Sequence, residues 1–360
     1  MMAGDGLLVR VKPRLGVLTR AQVLDVCEAA LAHGTGLIDL TRRANLQLRG
    51  VREADWPALI ARLVASKLVD VDPTREMRRN VLVAPDWQVG DTTHRIANEL
   101  QARLDELPPL PGKVGFVVDA GPACLLADEA GDFRIERGET GGLILRADGR
   151  AHGVAVPSVR AVEALIALAR WFAATDGGVA GRMARHQAEL PEWARGEIAP
   201  AAARARIGPG QHNLGASYGV AFGLIEARVL AATLDGSSAS AVRFTPWRVM
   251  ILEGVSTDPA PGMLHDPADP LLHADACPGT PGCPQSTIET RELARVLAPL
   301  VSGRLHVSGC AKGCARSAAA DVVVTGNAGR FDLAFDARAG GAPVHTALTR
   351  DDVLHHFGAA

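Results

Sequence analysis

TRRANLQLRGV, residues 41–51, can be laid over TPWRVMILEGV, residues 245–255, with Thr41 on Thr245 and the Leu-x-Gly-Val endings in register. The step from 41 to 245 is 204 residues, Leu18 and Phe222 stand the same step apart, and Leu18 to Ala32 and Phe222 to Leu234 each have the apolar spacing of a helix. Joint agreement of helix, strand and glycine is what an internal duplication leaves behind. The rest of each half repeats an order too. HRIANELQARLDEL (94–107) then GKVGFVVDAG (112–121) reads helix then strand, and IETRELARVLAPL (288–300) then GRLHVSG (303–309) reads the same way.

Around the first copy, LTRAQVLDVCEAALAHG (18–34) predicts a helix capped by Thr19 and ended near Gly34, with Val23, Leu24, Cys27, Ala30 and Leu31 as its buried face. Cys27 is then a core thiol. GLIDLT (36–41) and NLQLRGV (45–51) follow as strands, and WPALIARLVASKL (56–68) as a second helix. The sequence from 176 to 208, where helical spacing gives way to Gly and Pro, reads as the linker between halves. ADVVVTG and GRFDLAF, joined through Asn327-Ala328-Gly329, read as a closing hairpin.

The chain has 360 residues, enough for two or three packed domains. Only 4% of them are aromatic, so the cores must be built from Ala, Val and Leu. A formal net charge of -2 offers no global attraction to nucleic acid or to anionic lipid, and no aromatic-basic surface pattern accompanies the arginines. The N-terminus, MMAGDGLLVRVKPRLG, lacks the pattern of a secretory signal, and no apolar stretch reaches membrane-spanning length. The expectation is a cytoplasmic protein without nucleic-acid or membrane partners.

Four of six cysteines fall within 38 positions, 277 to 314. Cys277 and Cys283 enclose PGTPG, and Cys310 and Cys314 enclose AKG. If the second pair begins a helix, its side chains meet one turn apart, and the helix start favours thiolate over thiol. In a reducing compartment such cysteines point to metal or chemistry rather than to disulfides. The spacing admits a [4Fe-4S] cluster, a zinc site or no metal at all. Cys124 stands apart as a bystander.

Arg43, Asn45, Gln47 and Arg49 fall at alternate positions, hence on one strand face with Leu46 and Leu48 opposite. A second basic cluster, REMRRNVLVAP (75–85), contains Arg79, and Lys113 begins a further strand. Three basic entries into strands suggest a pocket for a multiply carboxylated molecule, which arginine can grip bidentately.

TRRANLQLRG resembles the Thr-x-Arg-x-x-x-Gln strand of the sulfite and nitrite reductase superfamily. RRNVLVAP is similar to its Arg-Asn-Val segment, and LPPLPGKVGFVVD (107–119) to its Leu-Pro-x-Lys stretch. ACPGTPGC (276–283) with SGCAKGCARS (308–317) resembles its C-x5-C and C-x3-C cluster signature. Within the superfamily the chain is most similar to the precorrin-3B synthases.

The resemblance implies an α+β, internally duplicated sulfite/nitrite-reductase-like fold, with ferredoxin-like half-domains plus iron-sulfur and tetrapyrrole-binding domains. The implied division is residues 1–70 and 209–260 as half-domains, 71–175 as a first tetrapyrrole/cluster-type domain without cluster cysteines, 176–208 as linker and 261–360 as the [4Fe-4S] domain. It implies a [4Fe-4S] cluster on Cys277, Cys283, Cys310 and Cys314, and the synthases add a mononuclear non-haem iron. For that iron His212, His273 and His306 are candidates by neighbourhood only, and no ligand is assigned.

The resemblance also places Arg43 and Arg79 where siroheme reductases keep arginines, and Lys113 at the first of two active-site lysines, the second being Gly115 here. Arg49 stands where a histidine-like position ends the first strand. Arg43, Arg49, Arg79 and Lys113 would pin substrate carboxylates, with Asn45 and Gln47 as neutral partners. The implied activity is an oxygen-dependent monooxygenase, precorrin-3B synthase, that hydroxylates C20 of precorrin-3A and closes a γ-lactone. Its partners would be the polycarboxylated tetrapyrrole, dioxygen and an external electron donor. Other classes stand beside it: a siroheme- and cluster-dependent sulfite or nitrite reductase, an iron-sulfur electron-transfer protein and a zinc-stabilised binding module.

Overall fold

The computed structural model describes residues 2–256, 260 and 262–359. The first half opens with β1 (Met2–Ala3), β2 (Gly6–Val11), β3 (Val17–Thr19), α1 (Arg20–His33), β4 (Leu37–Leu40) and β5 (Leu46–Val51). It continues through α2 (Trp56–Ala65), α3 (Pro73–Arg78), β6 (Val81–Val83), α4 (Thr92–Ala102), β7 (Phe116–Asp119), β8 (Phe133–Arg137), β9 (Leu143–Ala147), β10 (Val154–Ala155), α5 (Ala161–Ala174) and α6 (Gly177–Ala180). The second half opens with β11 (Gly210–His212), β12 (Gly215–Gly219), β13 (Leu224–Glu226), α7 (Ala227–Asp235), β14 (Ala241–Phe244) and β15 (Val249–Glu253). It closes with β16 (Ala274–Ala276), α8 (Arg291–Leu297), β17 (Leu305–Ser308), β18 (Ala320–Asn327), β19 (Arg330–Ala337), β20 (His345–Leu348) and α9 (Arg350–His356).

The strands form matched sheets. One has the order β1-β2-β5-β4-β13 and its counterpart β11-β12-β15-β14-β3, so each ferredoxin-like sheet is completed by a strand from the other half. The other pair, β10-β9-β8-β7-β6 and β16-β17-β18-β19-β20, each combine three parallel strands with two antiparallel ones. One apolar core joins the two exchanging sheets with α1 and α7, and separate cores lie against the β6–β10 sheet and the β16–β20 sheet. No helix among the described residues is long and apolar enough to cross a membrane.

The duplication extends to backbone detail. The amide of Thr41 bonds the Asn45 carbonyl at 2.9 Å, and that of Thr245 bonds the Val249 carbonyl at 3.0 Å. Ala44 and Arg248, paired by the 204-residue step, both take positive φ, 54° and 61°. The helices do not keep that step. α1 begins at Arg20 and α7 at Ala227, 207 residues on, because Phe222 is not helical but lies in a turn at φ 57°, as Leu15 does at 53°. α7 ends at Asp235, and the 204-residue step is restored by β14. The apolar run from Phe222 thus divides into turn, exchanged strand and helix.

α1 follows its sequence signals: Thr19 and Gln22 form a capping box, and Gly34 closes the helix. Its buried face is rotated from the expected one, with Val23, Val26, Cys27, Ala29 and Ala30 inside and Leu31 exposed. α1 packs against α7 and shares one core with it. Residues 198–203 run along the β6–β10 sheet through bridges Gly153 to Ile198, Gly138 to Pro200 and Cys124 to Ala203.

A charge-reversed pair marks the duplicated strands. Asp39 on β4 accepts from Arg49 on β5 at 2.7 Å, and at the same 204-residue step Arg243 on β14 donates to Glu253 on β15. Each arginine also reaches outward. Arg49 donates to the carbonyl of Gly282 at 3.0 Å, and Arg243 to those of Pro85 and Trp87 at 3.0 and 2.7 Å. So the first half-sheet is tied to the loop holding Cys283, and its counterpart is tied to the loop after β6.

Candidate functional site

The two threonine turns meet at the candidate site. Thr41 Oγ1 accepts the amides of Arg43 and Asn45, a local bond that reverses the chain and leaves Arg42 exposed at the tip. Thr245 Oγ1 accepts the amide of Trp247, and the left-handed Arg248 follows. Arg42 and Arg248 lie between two cavities and line both.

The first cavity, about 540 Å³, is walled by Trp247, Leu271 and Leu272 and carries Arg206, Arg304 and Arg316. The second, about 470 Å³, is lined by Gln47, Arg49, Arg291 and Lys312 together with Cys277, Cys283, Cys310 and Cys314. Arg42 forms no ion pair among the described residues. Burial pulls the guanidinium pKa of Arg248 down despite its bond to Asp275, and the nearby Arg42 and Arg304 pull the same way. Positive charge is crowded where the cavities adjoin.

The sequence-predicted residues divide between this site and its surroundings. Gln47 and Arg49 reach the second cavity, but Arg49 is only 3% exposed and is held by Asp39 and Asp5 at 2.7 and 2.8 Å. Burial opposes its charge, and the two carboxylates outweigh burial, so its pKa is raised. Arg43 and Asn45 line a small cleft beside Asn80 and Gly115 instead, with Arg43 donating to the carbonyl of Lys113 at 2.8 Å. Burial and the nearby Arg182 lower the pKa of Arg43. Arg79 bonds Glu76 at 2.6 Å and the carbonyl of Lys12 at 2.7 Å, and the Lys113 side chain is exposed outside both cavities. Side chains alternate as expected only from Leu46 to Arg49, because residues 41–45 form the turn. That turn also explains why Arg42 was missed.

All four clustered cysteines face the second cavity, yet among the described residues no group of three or more His, Cys, Asp or Glu side chains is disposed to hold a metal ion. This corrects the expectation of a [4Fe-4S] cluster on Cys277, Cys283, Cys310 and Cys314. It corrects equally the mononuclear iron, and the siroheme that the alternative reading would couple to such a cluster.

The loops supply the physical reason. Cys277 is buried with its sulfur accepting the Gly309 amide at 3.2 Å, whereas Cys314 lies exposed after a turn through Gly313, φ 61°. No helix begins at Cys310. Without aligned amides, partial desolvation pushes the Cys314 thiol pKa up against the opposing charge of Lys312, and the neighbouring thiols add to the rise. Of the histidines, His212 lies on β11, His273 is exposed at the first cavity, and His306 is fully buried on β17 with burial lowering its pKa to about 4. Cys27 and Cys124 are buried, and desolvation raises them to about 12 and about 11.

Residues 1–66 match the nitrite/sulfite reductase ferredoxin-like half domain. A precorrin-3B synthase from Sinorhizobium sp. is 31% identical over 385 aligned positions, which cover 95% of this chain and 82% of that protein. The solved structure of the NirA protein of Mycobacterium tuberculosis superposes with a TM-score of 0.61 at 19% identity, over 96% of this chain and 78% of that one, a likeness of fold. The chain therefore belongs to the precorrin-3B synthase family of oxidoreductases, within the nitrite/sulfite reductase ferredoxin-like superfamily.

Proposed function

We propose that this protein binds a polycarboxylated tetrapyrrole across the two adjoining cavities and acts as a precorrin-3B synthase. The observation that carries the reading is the crowd of guanidiniums, Arg42 and Arg248 foremost, between cavities of about 540 and 470 Å³. A planar macrocycle with acidic arms needs apolar walls for its faces and separated cations for its rim. Trp247, Leu271 and Leu272 supply the former at the first cavity. Gln47 offers a neutral hydrogen bond at the second, and Arg49, already paired, braces that wall. Asn45 and Arg43 brace the Thr41 turn, Arg43 through the Lys113 carbonyl, and Arg79, held by Glu76 and the Lys12 carbonyl, stands on the neighbouring segment.

The reaction in this reading is hydroxylation of precorrin-3A at C20 with γ-lactone closure by the ring A acetate. One atom of dioxygen enters the product and the other leaves as water, consuming two electrons and two protons from an external reductant. The residues described here bind and orient the substrate. Orientation alone can contribute several kcal/mol to such a step, roughly 7–11 at its limit.

The test is incubation of the purified protein with precorrin-3A, a reductant and isotopically labelled dioxygen, followed by mass spectrometry. One labelled oxygen in the product, lost under anaerobic conditions, is the expected result. Turnover of sulfite or nitrite without dioxygen, and no change in precorrin-3A, would replace the synthase reading with a reductase one.

A further inference from the structure

Asp275 on β16 faces the first cavity and gathers three guanidiniums. Arg248 lies at 2.7 Å from one carboxylate oxygen, and Arg304 and Arg316 at 3.3 and 3.5 Å from the other. They arrive from separate places: the second threonine turn, the entry to β17 and the loop after Cys314. One carboxylate facing three guanidiniums leaves two positive charges in excess. Arg42, at the same cavity, forms no ion pair among the described residues. His306, paired in register with Asp275 on the neighbouring strand, is fully buried. Glu129, the other carboxylate at this cavity, is engaged by Trp247 Nε1 at 2.8 Å and by Arg206 at 3.4 Å.

A pair kept only to hold the fold needs one partner, and the added arginines would raise the cost of burial. The surplus instead points toward the cavity space. We infer that Asp275 is a positioning residue that presets Arg248, Arg304 and Arg316 as a receptor for one carboxylate arm of the tetrapyrrole. The inference rests on the tetrapyrrole reading above and adds the place where an acidic arm is held. The carboxylate draws the three flexible side chains into one arrangement before the ligand arrives, so less side-chain freedom is lost on binding. An incoming carboxylate then meets planar donors already directed at one region.

The sign of one substitution separates this role from simple attraction. Asp275→Asn removes a negative charge from an anion site, which by Coulomb's law alone strengthens anion binding. Loss of positioning weakens it. The experiment titrates the full chain with uroporphyrin III, an octacarboxylate, by fluorescence, for wild type, Asp275→Asn, Asp275→Glu, Arg304→Gln, Arg316→Gln and the remote control Arg160→Gln.

Expected is a loss of affinity of at least about tenfold in Asp275→Asn and in Arg304→Gln, partial recovery in Asp275→Glu and none of this in the control. The Asp275→Asn and Arg304→Gln effects should combine to less than their product, since one acts through the other. With precorrin-3A, Asp275→Asn should raise KM and leave kcat nearly unchanged. Wild-type or tighter binding by Asp275→Asn overturns the positioning role while leaving the tetrapyrrole reading intact. Failure of the wild type to bind uroporphyrin removes both. If Asp275→Asn does not fold, Arg316→Gln, at a half-buried edge, decides, and unchanged affinity there counts against the proposal.

Discussion

Asp119, at the end of β7, is only 1% exposed. One carboxylate oxygen accepts the Leu126 amide at 2.7 Å, and the other has no hydrogen-bond partner among the described residues. Burial pushes its pKa up to about 6, against the backbone amides of Leu126 and Leu125 and the guanidinium of Arg134. A carboxyl raised in the fold favours folding while protonated, so its contribution is full below the unfolded value near 4 and is lost as pH rises through about 6. Asp119→Asn keeps an acceptor for Leu126 and removes the titration. Its stability gain over wild type, from urea midpoints, should therefore grow between pH 4 and pH 7 by roughly 2–3 kcal/mol. A constant difference across that range would show that Asp119 does not titrate there. Such a buried acid is hard to find in a sequence, where it reads as the polar end of FVVD. The same limit hid Arg42 and Arg248: their neighbours suggest a strand, and only the Thr41 and Thr245 hydrogen bonds turn them toward the cavities.

At the scale of elements, the charge-reversed pairs Asp39–Arg49 and Arg243–Glu253 hold each exchanging sheet to a loop of another unit. Arg49 serves Asp39, Asp5 and the Gly282 carbonyl together, and its removal strands Asp5 and a backbone acceptor and leaves Asp39 with Arg291 alone. Arg49→Met should cost about 3–5 kcal/mol in urea unfolding. Combined with Asp39→Asn, the loss should fall well short of the sum of the two. A cost below about 1 kcal/mol would mean that the loop holding Cys283 does not depend on this tie. Local signals served the elements they act within. Thr19, Gln22 and Gly34 bound α1, and the 327–329 turn closes β18 onto β19 as its Asn-Ala-Gly predicts. β3 and β13 were not legible, because three-residue strands gain their bonds from a partner roughly 200 residues away. Nor could cysteine spacing reveal that the Cys310 loop forms turns, since residues 310–314 fit a helical turn equally well.

For the whole molecule the exchange of β3 and β13 has a stronger consequence. Each half alone lacks the fifth strand of its own ferredoxin-like sheet and exposes the strand made to pair in the other. The α1 and α7 helices share one core with both sheets, and Arg20 at the start of α1 bonds the Ser237 carbonyl just past α7 at 3.0 Å. Loss of the partner half leaves β4 or β14 with an open hydrogen-bonding edge and uncovers the apolar faces of α1 and α7, a combination prone to aggregation. Residues 2–206 and 207–359, made as separate chains, should each fail to give a monodisperse, cooperatively unfolding product. Made together, they should associate into a particle with the near-ultraviolet circular dichroism of the intact chain. The cut falls after the Cys124 to Ala203 bridge and before β11, so it breaks no sheet pairing. A soluble 2–206 fragment with a sharp unfolding transition of its own would show that the exchanged strand is dispensable. The Arg42 turn could then stand without the Arg248 turn, and the cavities that both line would not require the two copies to fold as one.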